Sequence, residues 1–393
     1  MQQNTRSVLD LLCNQYAPIY NQICAYLPIE AICSLTCTAR RFSNLQHDLR
    51  KTQWNINKKL RRFVRDPGAF RSQMGQLDAV ISGSFAIQFF DRVEFPDSDL
   101  DIFIGDGEKA DLLGQHLINT EKYVLQVPRM KDEETEGEGY PWEDDKLIKV
   151  ETYLRNTNMA TNKTKVQIVR TVYDPIVMIL ADFYTTAVIN IITCNKAYAI
   201  FPLQTYVRYK TYLTKGISNW YGKQLSKYSL RGWESRDVLW PEECPTNCGL
   251  RDFRRVGDKW TWVIPLDMTN ILPARTPDFV LEHSEFTVTT AEQGGGGRNT
   301  SFDRYDISCK ANFRSYVLRY RYIHSNPRNF QPNPVYYGNF WFNFVGPRVE
   351  RLTEIELVKM KEEKQPEWYR RDAPTRFSHY DRPIPDKSPT WTS

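Results

Sequence analysis

The chain has 393 residues, of which 41% are apolar and 25% charged, ordinary values for a globular protein with a sizeable core. They exclude wholesale disorder, a collagen-like fibre and a disulfide-stapled miniprotein, and the length exceeds one average domain. Lys+Arg 52 against Asp+Glu 47 leaves a net charge of +5, too mild to name a partner, so the distribution of charge along the chain carries more information.

The apolar run Ser7–Cys13 is short and broken by Asp10, which argues against a signal peptide. Residues 7–54 read as three short helices. Apolar residues recur at Ile19, Ile23 and Leu27, then Ile32, Leu35 and Ala39, then Phe42 and Leu45. Pro18 and Pro28 each suit a first helical turn. Arg40–Arg71 is strongly basic, with only Asp48 and Asp66 opposing its Lys and Arg residues. A different texture begins near Leu77. Ala79–Ile81 is a short apolar run, followed by Gly83-Ser84, a helix-like Phe85–Phe90 and a buried strand at Leu100–Ile104. Glu108–Asn119 predicts an amphipathic helix, and Asp132–Asp145 an acidic loop. Leu147–Leu154 and Val166–Val172 form a strand pair around a polar turn.

Pro175–Ile192 predicts one long buried helix. Asp182 near the middle of this stretch weighs against a membrane span. Residues 195–240 read as helical, and the texture beyond Pro241 as strand and turn. Strand candidates there are Trp260–Leu266 and Phe279–Thr289, and Ser308–Ile323 resumes helix or strand. Gly294–Gly297 predicts a flexible loop, and the Pro- and charge-rich tail from Lys364 an extended segment. Eight Cys without a secretion signal suit a reducing compartment, cytoplasmic or nuclear.

Two constellations carry chemistry. The first is residues 17–54, with Pro18, Ile19, Ile23, Leu27, Pro28, Ile32, Leu35, Arg40, Arg41, Phe42, Leu45 and Trp54. This pattern resembles an F-box. The resemblance implies a trihelical module whose apolar face around Leu27 and Pro28 docks the adaptor protein of a ubiquitin ligase. A cap on the following domain is the bland reading.

The second constellation is Ala79–Ile104. A strand leads to Gly83-Ser84 and a helix, and Asp99 and Asp101 later alternate with Leu100 and Ile102. Period two sets both carboxylates on one strand face, where their repulsion calls for an offsetting cation, most often Mg²⁺. Gly-Ser at a helix start offers backbone N–H groups and a hydroxyl to phosphate oxygens. The segment resembles the DNA-polymerase-β-like nucleotidyltransferase superfamily over roughly residues 75–200. The resemblance implies that Gly83 and Ser84 contact a nucleoside triphosphate and that Asp99 and Asp101 bind metal. It also implies a third carboxylate at the centre of a later strand, where this chain has Gln167. Glu151, on the neighbouring strand, is the alternative source of that oxygen.

Weaker signals are Cys244 and Cys248 as a partial zinc site, and the basic stretch Lys58–Arg71 as a nucleic-acid contact. The aromatic stretch Arg208–Trp240, with Arg231-Gly232-Trp233, offers base-stacking platforms, for which aromatic core packing is the bland alternative.

The expected fold is α+β. A three-helix F-box-like module with a basic linker occupies residues 1–70, and a nucleotidyltransferase-like mixed sheet with helices occupies 71–200. An aromatic-rich α+β region covers 201–363, and the tail covers 364–393. The expected activity is metal-dependent transfer of a nucleotidyl group from a nucleoside triphosphate, with Asp99, Asp101 and Glu151 at the reacting centre. The alternatives are a ubiquitin-ligase substrate receptor with an inactive domain, or a transferase using charged tRNA. The latter would be of the fungal arginine-containing cyclodipeptide synthase type, since the combined arrangement resembles fungal proteins. RNA or tRNA is accordingly a further partner class, and a membrane is not.

Overall fold

The computed structural model describes residues 17–38, 42, 45–126, 147–156, 163–216, 219–239, 249–250, 252–291, 304–313, 320–325, 348, 351–352 and 354–355. The three expected N-terminal helices are present as α1 (Ala17–Tyr26), α2 (Ile29–Thr38) and α3 (Leu45–Thr52). Two more follow, α4 (Ile56–Leu60) and α5 (Pro67–Leu77). Local chemistry fixes their starts. Asn55 Oδ1 accepts from Lys58 N at 3.0 Å, and Asp66 Oδ1 accepts from Gly68 N and Ala69 N at 2.9 and 3.0 Å, with Pro67 in the first turn.

The central region runs β1 (Val80–Ser82), α6 (Gly83–Asp91), β2 (Leu100–Gly105), α7 (Glu108–Asn119), β3 (Val124–Leu125), β4 (Leu147–Asn156), β5 (Lys163–Thr171), α8 (Pro175–Asp182), β6 (Asn190–Ile192) and β7 (Lys196–Ala199). Beyond it lie β8 (Lys210–Tyr212), α9 (Asn219–Ser229), β9 (Glu234–Arg236), β10 (Asp252–Arg255), β11 (Trp262–Pro265), α10 (Asp278–Glu282), β12 (Glu285–Ala291), β13 (Arg304–Ser308), β14 (Lys310–Phe313) and β15 (Tyr322–His324).

Among the described residues, eight strands form one mixed sheet in the order β11-β7-β6-β1-β2-β5-β4-β3. The β2–β5 pair is parallel and the other pairs are antiparallel. The middle strands are apolar on both faces because helices cover them: Ile81, Ile102, Ile168 and Ile191 are fully buried. The chain is thus mixed α+β, as expected.

The core does not stop at residues 70 or 200. One continuous apolar cluster joins Tyr20, Ile32 and Trp54 to Ile81 and Ile168, and onward to Ile264, Phe286 and Ile323. Strand β11 extends the main sheet by pairing with β7. No helix among the described residues is long and apolar enough to cross a membrane.

Three expectations need correction. The helix at Pro175 stops at Asp182, and Asn190–Ile192 is a central strand. The Thr-, Val- and Ile-rich run from Thr185 to Thr193 is stiff at χ1 and fits the pleated sheet better than a helix. Residues 195–240 are mixed and not uniformly helical: the short strands β7, β8 and β9 alternate with one π-helical turn at Leu203–Val207 and with α9, the only α-helix described there. Phe279–Thr289 is split between α10 and β12 at His283-Ser284. The acidic loop Asp132–Asp145, the four-glycine loop, Cys244 and Cys248, and the tail from Lys364 lie outside the described residues.

Candidate functional site

Strand β1 passes into α6 through Gly83, whose φ is +67°. A Cβ there would lie 2.5 Å from Asp101 Oδ2, so a side chain is excluded both by the backbone and by the carboxylate. The β1–β2 register sets Ser82 opposite Asp101. A buried polar chain anchors this turn from below. Ser82 Oγ donates to Asn190 O at 2.6 Å, Asn190 Nδ2 donates to Ala187 O at 2.7 Å, and Tyr206 Oη donates to Asn190 Oδ1 at 3.0 Å. Ser82 therefore does not cap its own helix. Ser84 follows in the first turn, buried.

Asp99 is presented by a clamped loop. Gln88 donates to Ser98 Oγ at 2.8 Å and accepts from Phe95 N at 2.6 Å. Arg62 donates to Phe95 O at 2.8 Å and Ser98 O at 3.2 Å. Asp101 is buried, and Asp99 is about one-quarter exposed. Lys165, on β5, pairs with Asp99 at 2.9 Å between Nζ and Oδ2.

Helix α9 brings more charge to the same place. Partial desolvation and Arg231 lower the ammonium of the otherwise exposed Lys227 from its ordinary value, while Asp101 and Asp99 act to raise it. The Tyr228 hydroxyl is pushed up to about 12 by burial, with Arg231 opposing and Asp101 adding. Burial lowers Arg231, against the pull of Tyr228, Tyr184 and Asp97. The Arg231 guanidinium lies 3.9 Å from the Phe95 ring centroid, and its buried Nη1 has no hydrogen-bond partner among the described residues.

The structure separates Glu151 from this group. The parallel β2–β5 register pairs Asp101 with Gln167, and the β4–β5 register pairs Gln167 with Thr152. These three share one sheet face, and the Gln167 amide donates to Thr152 Oγ1 at 3.3 Å. Glu151 instead pairs with Ile168 and so projects from the opposite face. There it meets Lys149 at 3.0 Å, Tyr153 at 2.9 Å and Arg170 at 3.2 Å. Arg170 also binds Asp111 of α7 at 2.7 Å and Asp106 at 3.1 Å. Glu151 belongs to an ion network beneath α7, not to the Asp99/Asp101 group. A one-residue difference in register decides this, and single-strand alternation does not reveal it.

Other expected site residues have structural partners. The carbonyl of Leu27 accepts from Arg92 at 2.6 Å and the Leu27 side chain is half-buried against the core, while Pro28 is exposed. Within the basic stretch, Arg71 is buried and donates to Cys194 O at 2.9 Å and Asn57 Oδ1 at 2.9 Å. Trp233 is buried and donates to Thr205 O at 2.9 Å, so core packing describes it better than base stacking. Sequence reasoning missed Lys165, Lys227 and Asp97, and read Arg231 only as a stacking residue. The signal for Lys165 is its period-two spacing from Gln167, which becomes informative once β5 is paired with β2.

Asp101 packs against the start of α6 and Asp99 stands two positions before it in the chain; two carboxylates suit one hard cation whose remaining positions go to water and substrate oxygens. It does not suit two ions held by three carboxylates. Among the described residues no group of three or more His, Cys, Asp or Glu is disposed to hold a metal. A cleft of about 1010 Å³ lies at the other end of the same strands, lined by Asp78, Val80, Gly105, Lys109 and Arg275, away from Asp99 and Asp101. No family model matches the chain, and no curated protein or solved structure matches it.

Proposed function

We propose that the protein is a metal-dependent transferase that moves a nucleotidyl group from a nucleoside triphosphate to an acceptor. The observation that carries this reading is the contact of the Asp101 carboxylate with the side-chain-free Gly83 at the start of α6, where Ser84 follows; Asp99 stands two positions before Asp101. Backbone N–H groups at a helix start favour phosphate oxygens, and Gly83 leaves room for them to approach. Asp101 and Asp99 would hold Mg²⁺, which when bound would polarise the α-phosphate and neutralise the departing pyrophosphate. The chain's own residues orient the phosphates at Gly83 and Ser84, and the clamp of Gln88 and Arg62 keeps Asp99 in position. The acceptor's nucleophile then bonds to the α-phosphorus as the bond to pyrophosphate breaks.

One observation favours a second reading, an inactive domain of the same layout. Gln167 stands where a third carboxylate would be, and its amide is engaged by Thr152. The test is transfer of label from α-³²P nucleoside triphosphates with Mg²⁺, alongside pyrophosphate release. Asp101→Asn is expected to lower the rate by ~10²-fold or more while keeping the melting temperature near that of the wild type. Nucleotide binding without any turnover in the wild type would favour the inactive reading. Neither binding nor turnover would remove both.

A further inference from the structure

The carboxylates at this site face cations of the chain itself. Lys165 Nζ sits 2.9 Å from Asp99 Oδ2. Lys227 lies in the field of Asp101 and Asp99, and Arg231 in that of Asp97. Three carboxylates are thus met by three cations, Lys165 of β5, Lys227 of α9 and Arg231 just beyond the end of α9. A free divalent ion entering such a site must displace Lys165 from Asp99 and leave the ammonium beside a like charge. A triphosphate arriving with its metal removes that conflict, because its oxygens accept from Lys165 as the metal takes Asp99. The buried Arg231 Nη1, which lacks a partner among the described residues, awaits an acceptor of the same kind.

Building on the transferase reading, we propose that Lys165 is a placeholder cation. It holds Asp99 until a triphosphate binds and then moves to phosphate, so that the metal is taken up only together with a triphosphate. Lys165 is a positioning residue in this account, since it sets when Asp99 becomes available. The ion pair is partly exposed, with side chains 38% and 28% accessible, so it is weak enough to exchange when a better partner arrives.

The test reads metal binding and needs no turnover. Mn²⁺ is titrated into the full chain and followed by electron paramagnetic resonance, alone and with inorganic triphosphate, which carries no base. Wild type is expected to bind Mn²⁺ at least about tenfold more tightly with triphosphate than without. Lys165→Met is expected to bind free Mn²⁺ about tenfold more tightly than wild type, equivalent to ~1.4 kcal/mol, and to lose most of the gain from triphosphate. Adding Asp99→Asn to Lys165→Met should abolish the new affinity, and Lys165→Gln, with circular dichroism on each variant, guards against misfolding. Free Mn²⁺ affinity unchanged in both Lys165 variants would overturn the proposal, as would equal Mn²⁺ affinity of the wild type with and without triphosphate. Failure of the transferase reading looks different: the triphosphate-dependent Mn²⁺ binding is seen, but no nucleoside triphosphate is turned over.

Discussion

At position 83 the backbone takes a φ of +67° while Asp101 Oδ2 lies 2.5 Å from where a Cβ would stand. The left-handed conformation alone costs an L side chain ~1–2 kcal/mol. The contact adds to this, because the obstacle is a carboxylate on a paired strand and not the free end of a long side chain. Gly83→Ala must either push Asp101 away or shift the start of α6. The expected outcome is a loss of ~1–3 kcal/mol in unfolding free energy, together with weaker triphosphate binding. Urea denaturation and a binding titration measure the two effects. Full triphosphate affinity in a destabilised Gly83→Ala protein would show that the close approach of Gly83 and Asp101 is structural only. Asp101 then loses its claim to the phosphate site.

At the scale of elements, β12 begins with a carboxyl that is costly to ionise. Glu285 is buried, and burial pushes it up to about 8, against Arg255 opposite it on β10 and a backbone hydrogen bond from Ser325. An unfolded Glu titrates near ~4.3, so between that value and about 8 the folded chain holds a proton that the unfolded chain has released. Stability from this group is complete below the lower value and is lost as pH rises through the upper one. Glu285→Gln carries no such charge. It should match wild type near pH 4 and gain on it as pH rises, by up to ~1.4 kcal/mol per pH unit until about pH 8, as read from denaturant midpoints at pH 4, 6 and 9. A constant difference across that range would refute the buried, protonated state.

The elements also show which signals a sequence carries. Helix α7 and the β4–β5 pair were legible because each has a clean period bounded by polar residues. The order of Gly83-Ser84 and Asp99/Asp101 was legible for the same reason, since β1, α6 and β2 follow one another directly. The helix expected through Ile192 failed because a largely apolar run, broken only by Asp182, Thr185, Thr186 and Asn190, has no clear period to separate a buried helix from a central strand. Glu151 was misplaced because its face depends on pairing with Ile168, a partner that only the register supplies. Lys165 and Lys227 were missed because each meets Asp99 or Asp101 only through tertiary contact.

On the scale of the molecule, the N-terminal helices are fastened to the sheet domain by Arg92 and Trp54. Arg92, at the end of α6, donates to Cys24 O at 2.9 Å and Leu27 O at 2.6 Å, closing the C-terminus of α1. Its guanidinium lies 5.6 Å from the Trp54 ring centroid, and Trp54 Nε1 donates to Phe90 O at 3.1 Å. Trp54 also meets Trp262 of β11 edge-on at 5.2 Å. One cation therefore ties α1, α3's following Trp and α6 together, and these helices share the core of the sheet. A freely hinged adaptor module would have no such bonds to lose. Arg92→Gln keeps a polar side chain but cannot reach both carbonyls and stack on Trp54. It should cost ~1–3 kcal/mol and speed amide exchange in α1 and α2 while β2 and β5 stay protected. The decisive comparison is hydrogen exchange by mass spectrometry on variant and wild type. If α1 and α2 already exchange freely in the wild type, the fastening is not maintained in solution. The exposed Tyr26 and Pro28 would then belong to a module that can move to meet a partner. If exchange is slow in the wild type and quickens only in Arg92→Gln, the helices act as a cap. Any docking partner must then bind them in place, on the surface that Arg92 leaves uncovered.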